Sequence, residues 1–125
     1  PYRLRITGVP DRPGAWIGTF EDLDQSRLTV VRELWAGGKR LADPRVRSEV
    51  FADCDHPPVA AQWSSFSAET ASGHKVQPVA VRTNYQAYEA GGCDNTNVVV
   101  TNAGIVQRTA TERSVATGTR IGWPS

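Results

Sequence analysis

Ser26-Arg27-Leu28-Thr29-Val30-Val31-Arg32-Glu33-Leu34-Trp35-Ala36 decides whether this chain is all-β or α+β. As a helix, Ser26 would be the N-cap, Leu28, Val31 and Trp35 would share one face, and Gly37 would follow the last turn. As a strand, the β-branched triplet Thr29-Val30-Val31 fits a pleated surface, and Leu28, Val30 and Leu34 fall at even spacing. The triplet tips the reading to strand, with one short helix at 26–36 as the alternative.

Outward from this segment the pattern is of short strands between turns. Tyr2 to Thr7 alternates cleanly, with Tyr2, Leu4 and Ile6 on one face and Arg3 and Arg5 on the other. Arg45 to Phe51 repeats the pattern, with Val46 and Val50 facing in against Arg45, Arg47 and Glu49. Further candidates are Trp16 to Phe20, Gln62 to Thr70, Val76 to Arg82, Asn97 to Thr101, Ile105 to Thr111 and Thr119 to Trp123. Between them stand Gly-, Pro- and Asn-rich turns such as Gly8 to Gly14, Asp53 to Pro58, Gly91 to Asn95 and Asn102 to Gly104. The expected fold is a single all-β domain over 1–125, an antiparallel sandwich of immunoglobulin-like type or a small barrel. Asn97-Val98-Val99-Val100-Thr101 is read as a central strand; at an edge it would be the place where a partner chain or a second copy pairs.

The chain has 125 residues, 39% hydrophobic and 22% charged, enough for one core and too few for two full domains. Its formal charge of +1 is far from the dense positive field that phosphate backbones require, so nucleic acid is not an expected partner. No stretch approaches the roughly 20 apolar residues of a membrane span. The chain starts at Pro1 and contains no Met, which predicts that an initiator Met, signal peptide or tag was removed, or that the chain was cut there.

Cys54 and Cys93 stand in separate turn clusters, Ala52 to Pro58 and Gly91 to Asn95, and are placed to pair. A disulfide there predicts an oxidising compartment, hence a secreted or cell-surface protein. Free thiols, or a metal site using Cys54, His56 and Cys93, are the alternatives. The metal reading lacks any C-x-x-C pair, and His56 lies only two residues from Cys54. Asp94-Asn95-Thr96-Asn97 collects oxygen donors but lacks the spacing and terminal Glu of an EF-hand loop, and Asx turns account for it. No metal or other cofactor is expected.

Catalytic signatures are sparse. His56 precedes two prolines and His74 follows Gly73, which places both in turns, and the G-x-S-x-G, phosphate-loop, dinucleotide and H-E-x-x-H motifs do not occur. Pro1 followed by a strand bearing Arg3 and Arg5 resembles the opening of the tautomerase superfamily, which implies an enzyme using the N-terminal amine. Gly8 to Gly14 breaks the helix expected next in that family. Gly14-Ala15-Trp16 looks like the opening of lipocalin-like barrels, and that resemblance implies a carrier of one small apolar ligand with Trp16 at the closed end. Trp63, between the two cysteines, is the point of likeness to immunoglobulin domains.

Aromatic residues carry the remaining signal. Trp16, Trp35, Trp63, Tyr85, Tyr88 and Trp123 all lie beside turns or near strand ends, and Asn84-Tyr85-Gln86-Ala87-Tyr88-Glu89 mixes amides with aromatics. Such loops offer large contact area at small conformational cost. The expected function is therefore a non-enzymatic recognition domain that contacts a protein or carbohydrate ligand through Tyr85, Tyr88, Trp63, Trp35 and Asn84.

Overall fold

The computed structural model describes residues 1–123. Two compact units divide the chain, Pro1–Val46 and a second that begins at Arg47. Every strand pairing in both is antiparallel, with no α-helix and no sheet closed into a barrel among the described residues.

The first unit is a three-stranded meander of β1 (Tyr2–Gly8), β2 (Ala15–Asp22) and β3 (Arg27–Trp35), in the order β1-β2-β3. The deciding segment is thus a strand and the helix alternative falls. Neighbouring β2 supplies a ladder for the β-branched run, from Asp22 opposite Arg27 to Ala15 opposite Trp35. The even spacing of Leu28, Val30 and Leu34 does not survive as one face. A bulge at Gly18/Thr19 skips Val31, so Leu28 and Val30 lie with Glu21 and Thr19 on one face while Leu34 lies with Trp16 on the other. The β2–β3 turn is an Asx turn, in which Asp22 Oδ1 accepts the Asp24 and Gln25 N–H groups at 3.0 and 3.1 Å, and Ser26 takes a left-handed φ of 51° in place of the helix cap.

The second unit contains the sheet β4-β9-β8, built from β4 (Ala60–Trp63), β8 (Asn97–Thr101) and β9 (Gly104–Arg108). It also holds the two-stranded pairs β5 (Ala68–Glu69) with β6 (Lys75–Val76), and β7 (Ala80–Arg82) with β10 (Arg120–Gly122). Its buried apolar residues, Val98, Ile105 and Val106, come from β8 and β9. Four expected strands differ from the structure. Arg45 to Phe51 is not a strand: it has no ladder partner and its side chains are largely exposed, so alternation alone did not make one. Gln62 to Thr70 and Val76 to Arg82 each split in two, the first where Ser65 adopts a φ of 55°, the second around Pro78, which has no N–H to give a ladder. Asn97 to Thr101 is an edge strand, because among the described residues β8 pairs only with β9.

Cys54 and Cys93 form a disulfide, and both stand outside strands, so the bridge ties loop to loop. The β8–β9 hairpin comes so close to β4 that a Cβ on Gly104, whose φ is 138°, would sit 2.1 Å from the Trp63 carbonyl oxygen. Only glycine fits there.

Candidate functional site

The segment that follows β7 runs from an anchored start to an anchored end. Thr83 is buried, and its hydroxyl donates to the Ala116 carbonyl at 2.7 Å. Next to it Asn84 is exposed. Tyr85 is half-buried: its hydroxyl accepts the Val98 N–H at 3.2 Å, and its ring lies 4.1 Å from the Arg113 guanidinium carbon. A partly buried cation over a tyrosine face is favourable by about 1 to 2 kcal/mol. Tyr85 therefore turns its polar handle and one face inward, and it holds the loop in place.

Tyr88 is the contrast, with 66% of its surface exposed. It opens a single 3-10 turn, Tyr88–Ala90, which Gly91 ends in a left-handed conformation of φ 87°. Several bonds pin the turn. The Gly91 N–H donates to Tyr88 O and the Gly92 N–H to Ala87 O, both at 2.9 Å, and the Gln86 side-chain amide donates to Ala90 O. Gly92 is required by close approach, since a Cβ there would lie 2.0 Å from the Gln86 carbonyl oxygen. An exposed ring on an immobilised turn loses little conformational freedom when it binds.

Past the turn, Cys93 is fixed twice. Beyond the disulfide, Arg113 donates to Cys93 O at 2.7 Å, to Thr96 O at 3.0 Å and to Thr96 Oγ1 at 2.9 Å. Asn95 donates to Cys54 O, and buried Asn97 donates to Ser114 Oγ at 2.8 Å while accepting the Ser114 and Val115 N–H groups. The amides of the 94–97 run are thus spent on distant segments, the Cys54 carbonyl and residues 114–115, and not on the local Asx turns expected from the sequence. Both thiols are consumed by the disulfide, so neither is a thiolate ligand. Arg113 was not foreseen from the sequence, and no local pattern marks it.

No family model, no curated protein and no solved structure matches the chain. The site must be read from its own geometry. Trp63, on β4, divides its indole N–H between Gln107 Oε1 at 2.7 Å and Ser48 Oγ at 3.3 Å, and stacks on Phe66, which meets Trp123 edge-on. Phe66 and Trp123, with Gln77 and Asn102, border an open recess of about 230 Å³ that Trp63 itself does not line. Trp35 ends β3 in the first unit and is exposed, with its ring over Gly14 and Gly37. The expected site residues thus do not form one cluster: Tyr85, Tyr88 and Asn84 share a loop, Trp63 belongs to the β4 aromatic group, and Trp35 to the other unit.

Several alternatives are also located. Trp16 sits in the middle strand of an open sheet, packed against Gly8 and donating to Gly38 O at 3.2 Å, so it closes no barrel. Pro1 N lies 3.3 Å from Asp24 Oδ2, and β1 is followed by a hairpin to β2 where the tautomerase likeness implies a helix. His74 Nδ1 is 2.9 Å from Ser72 Oγ inside the exposed β5–β6 turn, whose closing bonds also use Thr70. Among the described residues no helix is long and apolar enough to cross a membrane.

Proposed function

We propose that the chain is a non-enzymatic recognition domain of an oxidising compartment, secreted or displayed at a cell surface, which contacts a protein or glycan ligand through the loop that carries Tyr88. One observation carries the reading: the Tyr88 ring is exposed on a turn held by backbone bonds, by Gln86 and by the nearby disulfide. Asn84 adds an exposed amide on the same loop. Tyr85, bonded to Val98, positions the loop and is not itself a contact. The disulfide supports the compartment, since such bonds persist where thiols are not kept reduced.

Glycan arrays and a displayed peptide library, probed in parallel with the wild type and with Tyr88→Ala, test the reading. A ligand held through the ring weakens by about 30-fold in the variant, the loss expected of an aromatic hot spot. A ligand bound equally well by Tyr88→Ala removes the assignment.

A further inference from the structure

From the apolar face of the first unit, we propose that this chain pairs with a second copy of itself, sheet on sheet. Register places Tyr2, Leu4 and Ile6 of β1, Trp16 and Phe20 of β2 and Leu34 of β3 on one face. Tyr2, Leu4, Ile6 and Leu34 are 65%, 59%, 61% and 59% exposed, and Tyr2 stacks on Phe20 at 4.9 Å. The opposite face is mixed: exposed Leu28, Val30 and Trp35 of β3 stand there beside the pair of Arg3 with Glu21 at 3.0 Å and the pair of Arg12 with Glu33, whereas every β1 side chain on the first face is apolar. One layer of three strands whose only buried residues are Ala15 and Asp22 has no core of its own. A second layer completes it.

Area and charge together point to a second copy as that layer. The four most exposed side chains present on the order of 450 Å² of apolar surface. With Phe20, Trp16 and the arginine stems, an isologous pair would bury about 1,200 to 1,400 Å² in total, at the lower bound of stable interfaces. On this face the charges are confined to β3, where Arg27 and Arg32 make no ion pair among the described residues, and to Asp22, whose Oδ1 is held by its turn. A two-fold axis along the strands lays the β3 of each copy over the β1 of the other. By register Arg27 then lies over Tyr2 and Arg32 over Ile6 of the partner copy, so arginine is kept from arginine, and the one like pair, Asp22 opposite Asp22 on the central strand, is buried in its own turn. An axis across the strands would set arginine against arginine.

Sedimentation equilibrium of the whole chain, with site-directed crosslinking, tests the pair. The wild type is expected at twice the chain mass, and Ile6→Glu at the chain mass with its β circular dichroism retained. Because Ile6→Glu would also revert if the sheet merely unravelled, single cysteines provide the second measurement. A short bismaleimide should join Leu4→Cys chains, whereas Arg5→Cys, on the outer face, stays single. A wild type at the chain mass throughout, including one that instead binds anionic vesicles, overturns the proposal, as does equal crosslinking from both faces.

Discussion

Removing the Cys54–Cys93 bridge by Cys54→Ala together with Cys93→Ala should destabilise the second unit through its unfolded state and leave its folded loops in place. The bridge spans 39 positions, and closing a loop of that size restricts the unfolded chain by about 4 kcal/mol in the chain-entropy treatment. The folded loops have other anchors: Arg113 on Cys93 O and Thr96, Asn95 on Cys54 O, and Asn97 on the 114–115 backbone. Urea unfolding followed by tryptophan fluorescence and circular dichroism measures the difference. With a slope of about 1 to 1.5 kcal/mol per molar, the midpoint of the second unit falls by about 3 M. A unit of this length has a total stability of roughly 4 to 12 kcal/mol, so the variant sits near the threshold in plain buffer. Sulfate or trimethylamine N-oxide should then restore the β signal, because the folded contacts are still available. A loss below about 1 kcal/mol refutes the entropic reasoning. A β signal that no osmolyte restores refutes the independence of the loop anchors.

Three further substitutions test the loop geometry. Gly104→Ala combines a forbidden φ with a Cβ 2.1 Å from the Trp63 carbonyl oxygen, and should lower stability by about 3 kcal/mol in thermal unfolding. Tyr85→Phe leaves the buried Val98 N–H without its acceptor and should cost about 1 to 3 kcal/mol, whereas Tyr88→Phe, at an exposed ring, should change stability by less than about 0.5 kcal/mol. Equal effects in a denaturant titration would contradict the division of roles between the two tyrosines. Arg113→Lys keeps the charge but not the fork that reaches Cys93 O and Thr96, and should cost about 2 kcal/mol in the same assay.

The strands were legible where two conditions met: a local pattern and a partner. Tyr2 to Thr7 and Trp16 to Phe20 had both, and the Thr29-Val30-Val31 triplet correctly weighed against a helix once β2 was beside it. Arg45 to Phe51 had an equally regular alternation and no partner, and remained irregular. Alternation reports which faces a strand would have, whereas pairing is a property of the rest of the chain. The Gly18/Thr19 bulge was illegible for a related reason. It shifts the face of Leu34 relative to Leu28 without leaving a mark in the spacing. The cysteine pairing was legible because each stood alone in a turn cluster with no competing thiol.

Within the candidate site, residue type was legible and role was not, because Tyr85 and Tyr88 differ only in what the rest of the chain brings to them. Arg113, 28 positions after Tyr85 in sequence, turns one ring into a structural contact, and Val98 takes its hydroxyl. The same bond bears on self-association. Asn97 to Thr101 is an apolar edge strand, the arrangement most exposed to pairing with another copy. Yet the N–H that Val98 turns away from β9 is already accepted by Tyr85, and Asn97 and Val98 are buried. The β8 edge is blunted along half its length, whereas Tyr2, Leu4 and Ile6 of β1 are uncovered. Copies of the chain should therefore meet through the face of the first unit and not through the β8 edge. Tyr85→Phe, by freeing the Val98 N–H, is the change that would open the second route.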